Sequence, residues 1–503
     1  MRYIEIMDTT LRDGEQTSGV SFSASEKLAL AQLLLNDVRV DRIEIASARV
    51  SEGELLAVKK ITDWAKNNGC LDKIEVLTFV DGQESVNWMV QAGAKVMNLL
   101  TKGSLNHLTH QLKKTPAEHF EDIKNVIALA QTNGIFCNVY LEDWSNGMRE
   151  SPAYVFEFLD FLATQPVRRV LLPDTLGVLT PSEAYSFVKQ AVERYPKQHF
   201  DFHAHNDYDL AIANVAEALR AGAHGLHLTV NGMGERAGNA PLASAIAVIK
   251  DFMPHLQTGV AEESLYVVSK IVETFSGLRI PANKPIVGDN VFTQTAGIHA
   301  DGDKKNNLYF SKLMPERFGR KRVYALGKTS GKANVENNLR DLGIKLSDED
   351  LRKVTQRVIE LGDKKEVVTP EDLPYIISDV LDTNAIEAKI EILNYVLTHS
   401  KDLKPSATLK VRIEENTYEE SAQGDGQYDA FMNALKKIYV ANHKNLPLLT
   451  DYAVRIPTGG RTDALCETII TWHWNGRDLK TRGLDSDQTV SAIKATQKML
   501  NLL

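Results

Sequence analysis

Short apolar runs alternate with amphipathic stretches through the first half of the chain, and this alternation constrains the fold more than any other feature. Runs suited to strands lie at 4–7, 42–46, 74–80, 96–101, 136–141, 170–173, 200–203 and 226–230. Helical patterns fall between them, among others at 25–35, 51–66, 117–131, 181–194 and 208–220. Several helices open on a capping Ser, Thr or Asp, and Thr180-Pro181 and Ser151-Pro152 put proline at the first helical position. Eight strand–helix units in about 250 residues predict a (β/α)8 TIM barrel. A doubly wound open sheet would use fewer strands and a Gly-rich first turn, which is absent.

Beyond the eighth unit the pattern changes. Ile280-Pro281-Ala282-Asn283-Lys284-Pro285 reads as an extended linker, because prolines disfavour helix. The polar stretch that follows predicts mainly helical linker subdomains and carries a basic cluster, Arg317, Arg320, Lys321 and Arg322, that suits either a phosphate-bearing ligand or solvent. From about residue 385 strand patterns return at 389–397, 408–413 and 417–421 before a helix at 428–438. A second set at 452–456, 467–474 and 479–481 precedes a helix at 489–500. Two βββα units predict a C-terminal α+β domain that regulates or dimerises. The expected division is a barrel over 1–280, linker subdomains over 281–385 and a regulatory domain over 386–503.

Composition excludes several function classes. The 503 residues are 43% hydrophobic and 25% charged, enough for a sizeable core rather than disorder. A net charge of −8 gives no general attraction to nucleic acid or anionic lipid. Cys70, Cys137 and Cys466 stand apart without CxxC spacing, against a disulfide scaffold or zinc ribbon. The N-terminus lacks the pattern of a signal peptide and no apolar run reaches membrane-spanning length, so a cytoplasmic location is expected.

Barrel enzymes carry their chemistry at the C-terminal ends of the strands, and ionisable residues gather there. Strand one leads into Asp8-Thr9-Thr10-Leu11-Arg12-Asp13-Gly14-Glu15-Gln16, Glu142 follows strand five, and Asp174-Thr175 follow strand six. His203-Ala204-His205-Asn206-Asp207 close strand seven, and strand eight opens into Asn231-Gly232-Met233-Gly234-Glu235-Arg236-Ala237-Gly238-Asn239. His203 and His205, two apart on an extended strand, face one side and offer two nitrogens to a divalent metal. Barrel closure brings strand one beside strand eight, so Asp13 and Asn239 can add oxygen ligands. That set suits a Lewis-acid Mg²⁺, Mn²⁺ or Zn²⁺ with open positions. Two hydrogen-bonded histidines at a strand end are the plainer alternative.

Arg12 presents a fork of donors for a carbonyl or oxyanion, or else an ion pair with Glu15 or Asp8. Glu142 is the candidate acid/base carboxylate, against the alternative of an ordinary surface glutamate. Thr175 can donate to a substrate carboxylate or cap the following helix. No GxGxxG fingerprint and no GxxxxGK[ST] loop occurs, which disfavours nicotinamide chemistry and a P-loop.

These three motifs resemble the 2-isopropylmalate, homocitrate and citramalate synthase family, whose members add the acetyl group of acetyl-CoA to a 2-oxo acid. The resemblance implies that Asp13, His203, His205 and Asn239 bind the metal, chelated by the oxo acid's carboxylate and keto oxygens. It assigns Arg12 to the keto oxygen, Thr175 to the carboxylate, Gln16 to the substrate site and Glu142 to removal of the acetyl-CoA methyl proton. Thr295-Ala296-Gly297-Ile298-His299-Ala300-Asp301-Gly302-Asp303 is similar to the family's linker motif. His299, Asp301, Asn307 and Tyr309 would reach a partner chain's active site, which implies a homodimer.

Within the family, Tyr140, Leu77 and Leu100 match bulky pocket residues of pyruvate-specific citramalate synthases, although large side chains near a site also serve core packing. Longer stretches, including Pro315–Arg322 and Phe292-Thr293-Gln294-Thr295, resemble the spirochaetal type. That type implies isoleucine feedback at a pocket matching Tyr428, Asp429, Leu449, Tyr452, Ile456, Thr462 and Gln488. Cys466 stands where valine is usual and Ser486 where proline is usual, which leaves the effector open. The rival readings are 2-isopropylmalate synthase with leucine feedback, homocitrate synthase, a metal-dependent hydrolase, a lyase and, outside the enzymes, a catalytically silent amino-acid sensor.

Overall fold

Each of the eight apolar runs forms a strand. The computed structural model describes residues 1–298, 308, 311–363, 368–381, 390–456 and 466–502. Its strands β1 (Glu5–Asp8), β2 (Arg42–Ser47), β3 (Ile74–Phe79), β4 (Val96–Lys102), β5 (Phe136–Glu142), β6 (Val167–Asp174), β7 (Phe200–Ala204) and β8 (Gly225–Leu228) make a closed barrel in sequence order. All neighbours are parallel, and β1 pairs with both β2 and β8 to shut the ring.

The helices begin where local chemistry satisfies their first N–H groups. Ser23 with Glu26, Thr115 with Glu118 and Thr180 with Glu183 form capping boxes, the last two with proline in the first turn. Each helix then turns apolar residues to the strands, as Ile123, Val126, Ile127 and Ala130 do in Pro116–Thr132. The helix expected from 208 starts at Ala211 instead. Asn206 Oδ1 accepts from Ala211 N at 3.0 Å, and Asp209 has φ 58°, so the turn consumes those residues.

Period-two alternation points Arg42 and Glu44 of β2 to one face, and the middle of the barrel is polar as a result. Arg42 bonds Glu75 at 2.8 Å and Asp201 at 2.6 Å, while Glu44 accepts from Asn98 at 2.7 Å. His227 Nε2 lies 3.1 Å from Asp201 Oδ2. All these residues are buried. Buried charge is tolerated here because every member has a partner of opposite sign or a hydrogen bond.

Two compact units emerge from the chain: 1–292 with 310–322, and 293–309 with 323–503. In the first unit, Arg317 pairs with Asp251 and Glu262, and Arg320 donates to the carbonyls of Ile286, Gly288 and Asp289. These two cations of the basic cluster therefore hold chain segments together, which corrects the phosphate reading for them. The three cysteines are free, and no helix among the described residues is long and apolar enough to cross a membrane.

In the second unit, helices Lys332–Asp341, Asp348–Asp363 and Leu373–Leu381 share an apolar cluster that includes Val335, Val354, Val358 and Leu373. Then come β9 (Ile390–Ser400), β10 (Leu403–Ile413) and β11 (Asn416–Gln423), an antiparallel sheet followed by helix Gln427–Ala441. The arrangement repeats with β12 (Leu448–Arg455), β13 (Cys466–Trp474), β14 (Arg477–Asp485) and helix Gln488–Leu502. The βββα duplication is real, with strands longer than their apolar cores suggested.

Candidate active site

The loop after β1 folds back on itself. Gly14 N and Arg12 N donate to Thr9 O at 3.0 and 3.2 Å, and Thr9 Oγ1 donates to Glu44 at 2.8 Å. This turn sets Arg12 and Asp13 over the barrel's C-terminal mouth. Arg12 Nε bonds Glu44 at 2.6 Å, its NH1 lies 3.2 Å from Asp13 Oδ2, and its NH2 reaches the Tyr140 hydroxyl at 3.4 Å. The expected competitors for Arg12 lie elsewhere: Glu15 pairs with Lys27 at 2.7 Å and Asp8 accepts from Thr10 N. Burial works against the guanidinium's charge, but Glu44 and Asp13 outweigh it and raise its pKa above the ordinary value.

His203, within β7, and His205, just beyond it, have Nε2 atoms 3.4 and 4.0 Å from Asp13 Oδ2. Ligand atoms of Asp13, His203 and His205 all lie within 4.8 Å of one another. Asn239 bridges to His205 through the backbone. The loop before it must come close: a Cβ on Gly234 would sit 2.2 Å from Asn239 Nδ2, and Gly234 has φ 151°.

Asp13 Oδ1, Asn239 Oδ1 and the Nδ1 atoms of both histidines are buried without a hydrogen-bond partner among the described residues. Buried polar atoms are normally satisfied, so the unpaired oxygens of Asp13 and Asn239 beside the two histidines point to a missing partner. Burial opposes ionisation of Asp13, yet Arg12 and the two imidazoles hold its carboxyl down at about 2. Burial also lowers the pKa of His203 and His205, despite the raising effect of Asp13, and keeps both imidazoles neutral. One carboxylate, two neutral imidazoles and one amide oxygen are a donor set that fits a divalent cation.

A cavity of about 240 Å³ opens beside this set. Arg12, Asp13, Gln16, Leu77, Leu100, Tyr140, Glu142, Thr175, His203 and His205 line it, so every barrel residue singled out from the sequence except Asn239 faces one space. Tyr140 is 3% exposed, and its hydroxyl meets His227 Nδ1 at 2.8 Å. Burial raises its pKa well above the ordinary value, so it remains a phenol. Thr175 Oγ1 accepts from Asp143 N at 2.9 Å, while the next helix is capped by Thr180, so Thr175 does not cap it. Glu142 pairs with Lys102.

Sequence reading missed Lys102, Glu44 and the Arg42–Asp201–His227 network, along with Ser47, Phe79, Pro173 and Glu235 in the cavity wall. A signal existed for three of them: Arg42, Glu44 and Lys102 are charges within or at the end of strand-like runs, where only an inward, paired position suits them. His299, Asp301, Asn307, Tyr309 and Thr462 lie outside the described residues. In the C-terminal domain Tyr428, Asp429, Leu449, Tyr452 and Gln488 line one depression of about 600 Å³, whereas Ile456 is 57% exposed and is not among its lining residues.

A family model described as HMGL-like matches residues 3–272, more than half of the chain. The chain belongs to that family. Further models match behind the barrel, the homocitrate synthase post-HMGL domain-like over 286–366 and the LeuA allosteric (dimerisation) domain over 367–503. The (R)-citramalate synthase of Methanocaldococcus jannaschii is 34% identical over 505 residues, covering 99% of each chain. The 2-isopropylmalate synthase of the same organism is 31% identical over 504 residues, covering 99% of this chain and 94% of that one. This member of the HMGL-like family thus aligns end to end with the 2-isopropylmalate and citramalate synthases, at identities too close to separate the two.

Proposed function

We propose that this chain condenses acetyl-CoA with pyruvate to give (R)-citramalate and CoA, as an acyltransferase of isoleucine biosynthesis. The observation that carries the choice of oxo acid is the cavity wall, where Tyr140, Leu77, Leu171 and Leu100 form one apolar cluster beside Asp13 and His203. Tyr140 is tied by His227 and Arg12, so it does not swing aside without losing those bonds. A methyl group fits such a wall, and an isopropyl group overpacks it at about 1–3 kcal/mol.

In this reading Arg12 holds the keto oxygen, and Thr175, whose oxygen already accepts from Asp143 N, donates its hydroxyl proton to the carboxylate. Glu142 takes a proton from the methyl group of acetyl-CoA, and the C–H electron pair becomes the enolate. The enolate carbon bonds to C2 of pyruvate while the keto π pair moves to oxygen beside Arg12 and takes a proton from water, and the proton on Glu142 returns to solvent. Water then cleaves the citramalyl thioester, releasing citramalate and the CoA thiol. A divalent cation (Mn²⁺, Mg²⁺ or Zn²⁺) held by Asp13, His203, His205 and Asn239 would make the ketone more electrophilic.

The match to an allosteric dimerisation domain over 367–503 supports a homodimer. In this reading His299, Asp301, Asn307 and Tyr309 complete the partner's site. The depression lined by Tyr428, Asp429, Leu449, Tyr452 and Gln488 supports an amino-acid effector, isoleucine in this reading.

The deciding assay follows CoA release with a thiol reagent, in Mn²⁺ or Mg²⁺, comparing pyruvate with 2-oxoisovalerate. Pyruvate should react faster, and Tyr140→Ala should let 2-oxoisovalerate in. Faster release with 2-oxoisovalerate would make the chain a 2-isopropylmalate synthase. No release with any oxo acid would leave a silent sensor.

A further inference from the structure

We propose that Lys102 is the positioning residue of the general base: its ammonium holds one oxygen of the Glu142 carboxylate and leaves the other for the substrate proton. This rests on the reading of Glu142 as the base. Lys102 and Glu142 are the last residues of β4 and β5 and are direct partners in the parallel register. Lys102 Nζ contacts Glu142 Oε2, and the lysine is 7% exposed. A lysine this deeply buried is costly unless paired, and here the pair stands on the wall of the candidate site.

The frame around the pair allows no slack. Lys102 O accepts from the Tyr154 hydroxyl at 2.7 Å, and Lys102 N donates to His119 Nε2 at 3.3 Å. Burial lowers the pKa of His119 to about 4, which keeps that nitrogen free to accept. The following residue, Gly103, donates from N to Glu142 O at 2.6 Å. A Cβ there would lie 2.5 Å from Leu141 O, so only glycine lets the two strand ends lie this close. Glu142 lines the cavity and Lys102 does not, so the lysine acts through the carboxylate. An ammonium bonded to one oxygen of the carboxylate limits its rotamers and aims the other oxygen into the cavity.

The experiment compares Lys102→Met, Lys102→Arg, Glu142→Gln and the Met/Gln double variant. Lys102→Met should lower kcat about 10- to 100-fold, a fraction of a general base's worth, with the KM for pyruvate within about threefold. Lys102→Arg should recover most of the rate. In the Glu142→Gln background, adding Lys102→Met should change kcat by less than about twofold. A KM that rises as kcat falls, or losses that simply multiply in the double variant, would overturn the proposal and leave a structural ion pair. If Lys102→Met does not fold, Lys102→Arg decides: a kcat near that of the wild type supports the proposal, and a loss as large as that of Glu142→Gln overturns it. Glu142→Gln at full activity would sink the base assignment itself, whereas an inactive Glu142→Gln beside a fully active Lys102→Met would sink only the role of Lys102.

Discussion

Arg42, Glu44, Glu75, Asp201 and His227 fill the middle of the barrel with charge, whereas the C-terminal domain buries Leu409, Val411, Phe431, Leu435, Ile470 and Trp472 against one another. Both regions are well packed, but their cores serve different ends. Charged groups in a low-dielectric interior adopt few arrangements, because each needs its partner at hydrogen-bond distance. The chain Glu44–Arg12–Tyr140–His227–Asp201–Arg42 therefore restrains the side chains that face the cavity. An apolar core is held by area and shape instead, and it supports a surface depression without dictating the atoms in it. Preorganised charge suits chemistry, and a polar rim on an apolar platform suits recognition of a small ligand.

Four measurements would break or sharpen this contrast. The largest effect is expected for Glu142→Ala, which should lower turnover by about 10²–10⁴-fold while pyruvate still binds in calorimetry. Unchanged turnover would remove Glu142 as the base. Next comes stability: Arg42→Met leaves Glu75 buried without its cation, and Asp201 with only His199 and His227, and should cost about 3–5 kcal/mol in urea unfolding. Leu409→Ala, a pure cavity mutation in the other region, should cost about 2–5 kcal/mol. A neutral Arg42→Met would show that the barrel is held by its apolar layers alone.

A pH test gives a smaller shift. Burial pushes the Asp8 carboxyl up to about 7, with one oxygen accepting from Thr10 N and the other unpartnered. Below about pH 4 the group is protonated folded and unfolded alike, so it costs nothing. As pH rises toward 7 the unfolded chain ionises first, and stability is lost progressively. Asp8→Asn should therefore match the wild type at pH 4 and exceed it by roughly 1–3 kcal/mol at pH 8, measured by denaturant titration. Equal stability at both values would mean that the carboxylate is solvated or paired. The smallest effect concerns the other region: Tyr452, whose ring lies 5.4 Å from that of Tyr428, should on change to Ala weaken isoleucine binding about tenfold, the worth of one aromatic contact. Unaltered binding would move the effector site away from this depression.

Much of the site was legible because motif residues are neighbours in sequence before they are neighbours in space. His203 and His205 share a strand face by period two, and Asp13 follows the first strand directly. Lys102 is not legible as a site residue because the apolar run stops at Thr101, one residue before the strand ends at Lys102. Thr175 stands five residues before Thr180, which caps the helix, so its role is decided by its contact with Asp143. Arg12 had two carboxylates near it in sequence, yet its partner is Glu44, 32 residues away.

Strand count, barrel closure and the metal-type donor set followed from the amino-acid order, since apolar periodicity and strand-end chemistry are local properties. The pairing of Arg12 with Glu44, of Lys102 with Glu142 and of Tyr140 with His227 was decided only in three dimensions. Those contacts join different strands, and their partners are chosen by register and burial. No spacing along a chain encodes which buried charge will face which.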